Sequence, residues 1–259
     1  MTITRPRANV LPATTRSGHE DFRIKRALLA FALLAAACAS ANPPLPDLPL
    51  TPPGKAANFD EVIAAFEAND VAAAPPTCTT LFVGSSSIRF WRSLAEDFPT
   101  RAVINRGFGG STVWEVNHYF SRIVAPYHPR EIVFYAGEND LNAGRTPDDA
   151  FADFVAFMRL KEQALGMTPV WFISAKPSKL RLDQMAQQTA FNDKVRGLAD
   201  VRDDLAYIDI VPAMHQADGA LKDIFVEDDL HMTPEGYALW TPIVNAALDA
   251  GQPAHAPDC

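Results

Sequence analysis

Basic residues are scarce in this sequence. It has 23 lysines and arginines against 31 aspartates and glutamates, for a formal net charge of −8, and the basic residues form no continuous stripe. Proteins that bind nucleic acids in general need clustered positive charge to neutralise phosphates. The composition therefore argues against a nucleic-acid partner and favours a small neutral or weakly charged substrate.

Cysteines and paired metal ligands are also few. The 259 residues include three cysteines, none with the spacing of a metal site, and the histidines lack a paired ligand motif. We therefore expect no metal ion and no other cofactor. The sequence also lacks the phosphate-binding pattern with lysine after the last glycine, and the G-x-S-x-G motif of many hydrolases.

The N-terminal region has the pattern of a secretory signal. Basic residues at positions 23, 25 and 26 precede the apolar stretch "ALLAFALLAAA" at 27–37, which is too short to span a bilayer comfortably. We expect residues 1–41 to form this signal region, with two alternative cleavage sites. "LLAAAC" resembles a lipoprotein box, in which Cys38 would be lipidated and attach the protein to a membrane, whereas "ASA" resembles an ordinary site that leaves Asn42 first. Both alternatives predict an exported protein, either periplasmic or anchored to the envelope.

Two further segments follow the signal region. Residues 42–57 are rich in proline, which favours an extended linker, and residues 58–259 form the predicted domain. If Cys38 is lipidated or removed, Cys78 and Cys259 remain, and an even pair in an oxidising compartment indicates a disulfide. Two unpaired thiols are the alternative.

Short apolar runs alternate with longer amphipathic segments in the domain. This alternation predicts an α/β fold, in which a parallel sheet is covered by helices on both faces. Ligands of such folds bind at the carboxyl ends of the strands, so we expect the chemistry to lie in the segments that follow the runs. The five runs are "TLFV" from Thr80, "AVIN" from Ala102, "EIVFY" from Glu131, "PVWFIS" from Pro169 and "LAYIDIV" from Leu205.

The segments after the first three runs carry hydroxyl, glycine and amide groups. "GSSS" at 84–87 offers either a nucleophile or the cap of a helix that begins near Ile88. "NRGFGGST" at 105–112 would let a backbone amide approach a ligand closely. "GEND" places Asn139 where its amide would face the same crevice, although an Asx turn is an alternative role.

The segment "VEDDLHMTPEGY" brings a carboxylate and an imidazole together before the last helix. Asp228, three residues before His231, can hydrogen-bond one imidazole nitrogen and leave the other free as a base. Asp229 is the adjacent alternative, although we expect its side chain to point away. Each feature has an ordinary structural explanation, but the predicted topology brings all four segments to one crevice.

These blocks resemble, in order, those of the SGNH or GDSL-type hydrolases: "GSSS", "GFGGST", "GEND" and "DDLH". The resemblance implies a three-layer α/β/α, flavodoxin-like fold with a mainly parallel five-stranded sheet. By the same resemblance, Ser86 matches the nucleophile, and Asp228 and His231 complete the catalytic triad. Ser86, Gly110 and Asn139 match the oxyanion hole. Ser85 stands where the family usually has an acidic residue, and Ser87 is the alternative nucleophile.

The resemblance implies a serine esterase of a bacterial envelope subgroup. Its substrate would be an O-acyl carbohydrate, a short-chain ester or a lysophospholipid. A different class of function is a catalytically silent module that binds a glycan of the cell envelope in the same crevice.

Overall fold

The computed structural model describes residues 42–53 and 57–251. Its centre is a sheet of five strands in the order β2-β1-β3-β4-β5, with every pair parallel. All five runs that the sequence predicts as strands are strands. Their bounds are β1 Thr80–Gly84, β2 Val103–Gly107, β3 Glu131–Tyr135, β4 Val170–Ile173 and β5 Leu205–Ile208.

Helices cover both faces of the sheet, which gives the three-layer α/β/α architecture. Residues of β1 alternate between two buried clusters: Leu81 and Val83 face one, and Phe82 faces the other. This alternation is why the strands are apolar throughout rather than at every second residue. The α-helices are α1 Asp60–Ala72, α2 Ser86–Arg89, α3 Leu94–Asp97, α4 Val113–His118, α5 Phe120–Ile123, α6 Glu138–Asn142, α7 Pro147–Leu165, α8 Met185–Ala199 and α9 Pro234–Ala250.

One helix begins earlier than the sequence predicts. α2 begins at Ser86 rather than near Ile88, because Ser85 already has the extended backbone of an N-cap residue. The segment "KPSKLRLDQM", which has no strong helical pattern, enters a 3₁₀ turn at Lys179–Gln184 and continues directly into α8. Ser86 is consequently the first residue of its helix, where a backbone N–H has no intrahelical acceptor.

Gly84 makes the turn from β1 into α2 possible. Its φ is +140°, and a Cβ placed there would lie 1.8 Å from the carbonyl oxygen of Tyr135 on the neighbouring strand. That carbonyl instead accepts a hydrogen bond from the N–H of Ser85, at 2.9 Å. Only glycine permits this approach, so the close contact between backbones sets the direction in which α2 leaves the sheet.

Residues 42–53 of the proline-rich segment form neither helix nor strand, and they lie on the domain rather than apart from it. Leu45 and Leu48 pack against the core. Three arginines donate hydrogen bonds to its backbone carbonyls: Arg202 to Pro43 at 2.8 Å, Arg159 to Pro46, and Arg145 to Thr51 at 2.6 Å. Proline has no N–H to donate to a backbone carbonyl. The carbonyls of this segment accept hydrogen bonds from arginines of the domain instead.

The signal region and two of the cysteines, Cys38 and Cys259, lie outside the described residues. Cys78 is disulfide-bonded, and its pairing with Cys259 stays a prediction. Over the described ranges, no helix is both long enough and apolar enough to cross a membrane.

Substitution at two glycines tests this account of the turn. We expect Gly84→Ala to lower the free energy of unfolding by at least about 2 kcal/mol, because the Cβ meets backbone and the φ is unfavourable. Gly197→Ala is the matched control: this exposed position in α8 has nothing within 4 Å of a new Cβ, so alanine should stabilise by about 0.5–1 kcal/mol. Denaturant unfolding measures both changes, and equal stability of the two variants would contradict the role of Gly84.

Candidate active site

Ser86 and His231 meet at the carboxyl edge of the sheet. The Ser86 Oγ lies 2.9 Å from the His231 Nε2, although 145 positions separate the residues in sequence. Ser87 instead accepts a hydrogen bond at its carbonyl from the Tyr237 hydroxyl, at 2.9 Å. Of the two candidate nucleophiles, Ser86 is therefore the one that contacts the imidazole.

Asp228 holds the other side of the imidazole. Its Oδ2 lies 2.5 Å from the His231 Nδ1, and its Oδ1 accepts hydrogen bonds from the N–H groups of Leu230 and His231 at 2.9 and 2.8 Å. Partial burial raises the pKa of Asp228, but the hydrogen bonds from His231 and Leu230 outweigh it and lower the pKa to about 2. The carboxylate is therefore ionised at neutral pH, and it can fix the tautomer of His231.

The turn that carries Asp228 and His231 is closed by backbone pairing. Phe225 and Met232 form an antiparallel bridge, and the N–H of Val226 donates to the carbonyl of His231 at 2.9 Å. Asp229 adopts a positive φ of 54°, and its carboxylate lies 3.9 Å from the Lys179 ammonium. Asp228, rather than Asp229, is therefore the carboxylate that contacts the imidazole.

The two other oxyanion candidates, Gly110 and Asn139, line one cavity together. Gly110 has a φ of +82° and open space at its Cβ position, so a ligand can approach its backbone. The Asn139 Nδ2 donates to the carbonyl of Ser111 at 3.0 Å, and the Ser111 hydroxyl contacts the carbonyl of Gly84 at 3.2 Å. Ser111 thus joins the loops that follow β1, β2 and β3.

Asp140 braces the same loops from below. It is fully buried, and both of its carboxylate oxygens lie 3.1 Å from the N–H of Val113, the first residue of α4. Burial raises the pKa of Asp140 well above its ordinary value, although the hydrogen bond from Val113 opposes that shift. Asp140 directly follows Asn139 in sequence, and its role is structural.

Sequence reasoning missed a buried charged group beneath these loops. Glu138, Lys176 and Arg181 are all at most 8% exposed in their side chains. Arg181 binds the side-chain oxygen of Asn139, and Lys176 donates to the carbonyl of Leu230 at 2.8 Å. The one indication of this group in the sequence is that its members follow β3 and β4. Their burial is not predicted, because lysines and arginines in loops are usually exposed.

Two cavities border the site. One, of about 430 Å³, is largely apolar and adjoins His231; its lining includes Phe90, Val226, Met232 and Tyr237. The other, of about 720 Å³, is polar and adjoins Gly110 and Asn139; its lining includes Asn142, Arg181 and the proline-rich residues Thr51, Pro52 and Pro53.

Chemically, the arrangement can activate a hydroxyl. A serine beside an imidazole that is oriented by a carboxylate is suited to attack a carbonyl carbon, since the imidazole can accept the serine proton. Within the described part of the chain, no group of three or more His, Cys, Asp or Glu residues is placed to hold a metal ion.

Known proteins share this fold. The solved structures that resemble the chain include a GDSL-like lipase from Bacteroides thetaiotaomicron, with 21% identity, a TM-score of 0.62, and coverage of 73% of this chain and 97% of that one. A carbohydrate esterase of family 3 from Talaromyces cellulolyticus has 17% identity and a TM-score of 0.55, covering 66% and 97%. A mutant of an acetyl-xylooligosaccharide esterase from Geobacillus Stearmophilus has 12% identity and a TM-score of 0.54, covering 66% and 94%.

No curated protein sequence matches the chain. The sequence pattern of the GDSL-like lipase/acylhydrolase family, in contrast, matches residues 82–239, which is more than half of the chain. This span begins in β1, ends in α9, and contains all four blocks of the site. The chain therefore belongs to the GDSL-like lipase/acylhydrolase family and is a hydrolase of ester bonds.

Proposed function

We propose that the protein is an exported serine esterase in which Ser86 is the nucleophile, His231 the base and Asp228 the residue that orients the base. The observation that carries this proposal is the unbroken contact from the Ser86 Oγ through the imidazole to the Asp228 carboxylate, at 2.9 and 2.5 Å. As Ser86 attacks the ester carbonyl carbon, His231 takes the hydroxyl proton. His231 then gives this proton to the departing alcohol, and water releases the acyl group in a second, equivalent step.

The negative oxygen of the tetrahedral intermediate needs hydrogen-bond donors. We assign this role to the backbone N–H groups of Ser86 and Gly110 and to the Asn139 Nδ2. Such donors stabilise charge that develops only in the transition state, and each contributes about 3–4 kcal/mol.

The two cavities indicate where the halves of the ester lie. Because His231 must protonate the alcohol oxygen, the alcohol belongs in the cavity beside His231, where the partly exposed Phe90 presents aromatic surface to a sugar ring. The acyl group then extends past Asn139 into the polar cavity, whose Asn142 and Arg181 would be desolvated by a long alkyl chain. A short acyl group on a carbohydrate fits this division better than a lysophospholipid does.

Substitution of the proposed triad tests the mechanism. Ser86→Ala and His231→Ala should lower kcat for p-nitrophenyl acetate by at least about 10⁴-fold, and Asn139→Ala by about 10²- to 10³-fold. Ser87→Ala is the matched control, since its hydroxyl does not reach the imidazole, and it should stay within about tenfold of the wild type. Circular dichroism checks that each variant is folded.

A fluorophosphonate probe separates the esterase from a silent glycan-binding module. The wild type and Ser87→Ala should be labelled, and Ser86→Ala should not. A folded wild-type protein that neither reacts with the probe nor hydrolyses any ester would refute the enzyme and favour the binding module.

A series of esters tests the proposed acyl side. With p-nitrophenol as the constant alcohol, kcat/KM should fall at least about tenfold from acetyl to octanoyl, because the polar lining cannot solvate an alkyl chain. Asn142→Leu makes one wall apolar and should shift the preference toward longer acyl groups. A wild-type preference for octanoyl would contradict the short acyl group and support a lysophospholipid substrate.

Export is the remaining part of the proposal, and it depends on the signal pattern at 1–41. In a bacterial host that expresses the whole chain, a palmitate analogue should label the protein, and Cys38→Ser should remove the label. Because the chain has three cysteines, lipidation of Cys38 leaves Cys259 as the partner of Cys78, and a non-reducing peptide map should show that link. An unlabelled protein that starts at Asn42 would indicate the ordinary cleavage site, and retention of residues 1–41 would contradict export.

A further inference from the structure

Arg181 is a buried charge to which the mechanism above gives no role. It lies in the 3₁₀ turn that follows β4, and its side chain is 8% exposed. Its Nη1 and Nη2 both donate to the Asn139 Oδ1, each at 3.0 Å. A guanidinium removed from water is costly unless it is well bonded, so this contact with the neutral amide of an oxyanion-hole candidate needs an explanation.

The contact fixes which way the Asn139 amide faces. Arginine has only donors, so the amide must present its oxygen to Arg181 and its nitrogen to the opposite side. One Nδ2 hydrogen is bound by the carbonyl of Ser111, at 3.0 Å. The second Nδ2 hydrogen is then available to a ligand in the cavity that Asn139 and Gly110 line.

Arg181 is itself held from behind by a carboxylate. The Glu138 Oε1 lies 3.9 Å from the Arg181 Nη1, and the Glu138 Oε2 accepts a hydrogen bond from the Tyr135 hydroxyl at 2.8 Å and lies 3.4 Å from the Lys176 ammonium. Lys176 also donates to the carbonyl of Leu230, in the turn of the triad. The guanidinium therefore lies between the Asn139 amide and a carboxylate that is itself buried.

This group of three charges contains two cations and one anion. The Arg181 guanidinium lies at the oxygen end of the Asn139 amide, opposite the Nδ2 that would face the oxyanion. A cation bonded to the amide oxygen also polarises the amide and makes its N–H a stronger donor, as in other hydrogen-bond chains. Both effects favour a negative oxygen at Asn139 over a neutral carbonyl oxygen, which is the discrimination that catalysis requires.

We propose that Arg181 is a positioning residue of the oxyanion hole, acting through Asn139. It holds the amide with its nitrogen toward the substrate and strengthens that nitrogen as a donor. This inference rests on the proposed esterase mechanism, and it predicts an effect on the transition state rather than on the binding of the ester.

Arg181→Met, which keeps the length and removes the donors, is the principal variant. Its kcat, divided by the fraction of sites that a fluorophosphonate titrates, should fall at least about tenfold with KM within about threefold. The inhibition constant of a boronic acid, which forms a tetrahedral adduct on serine, should rise by a similar factor. Arg181→Lys should recover part of kcat, and Arg196→Met, at an exposed arginine of α8 that pairs with Asp193 and Asp209, should leave all three quantities unchanged.

A double-mutant cycle tests whether Arg181 acts through Asn139. In the Asn139→Ala background, Arg181→Met should change kcat by less than about twofold, because the amide that it holds is gone. Arg181→Lys serves the same cycle if the methionine variant does not fold. Losses that multiply, or a wild-type kcat in Arg181→Met, would overturn the inference, whereas a wild type inert to esters and to the fluorophosphonate would instead refute the proposed function.

Discussion

The hydrogen bond between Ser86 and His231 is the contact on which the rest of the site depends. Ser86 lies near the start of the domain's sequence and His231 lies just before its last helix. The bond therefore forms only when α9 packs beside α2. Aromatic packing performs that docking: the ring of Trp91 lies 5.4 Å from that of Tyr237 and 6.0 Å from that of Trp240. The Tyr237 hydroxyl adds a hydrogen bond to the carbonyl of Ser87. The aromatic core on one face of the sheet thereby sets the distance between the Ser86 Oγ and the His231 Nε2 at the edge of the sheet.

Two groups of buried charges occupy opposite ends of the strands. At the amino end of β5, Lys161 and Arg202 bind Asp204, and Arg202 also binds Glu162. Burial alone would raise the pKa of Asp204, but hydrogen bonds from Arg202 and Lys161 lower it, so this group is a compensated structural ion cluster. At the carboxyl end, Glu138 faces Lys176 and Arg181. Burial lowers the pKa of Lys176, although Glu138 opposes the shift. This second group lies at the end of the sheet where the proposed oxyanion would form.

The sequence predicts the sheet well because buried parallel strands are short, apolar runs. Such runs can be recognised in the sequence without knowing which strands pair. It also predicts the loops of the site, since strand ends and the resemblance of the four blocks indicate the same residues. It does not predict the start of α2, which depends on the contact of Gly84 with Tyr135 across the sheet. Nor does it reveal Arg181 or Lys176, because nothing local distinguishes a buried cation from a solvated one. Both failures concern contacts between segments distant in sequence.

The proline-rich segment is bound to the domain through its main chain as well as through the packing of Leu45 and Leu48. Arg202, Arg159 and Arg145 each contact a carbonyl oxygen, which every residue type possesses. Side chains at these positions can therefore change with little loss of attachment, as long as the chain stays extended. Relatives of this enzyme that differ at Pro43 and Pro46 would still keep the wall of the cavity at Thr51, Pro52 and Pro53, so a comparison of sequences alone would overlook this attachment.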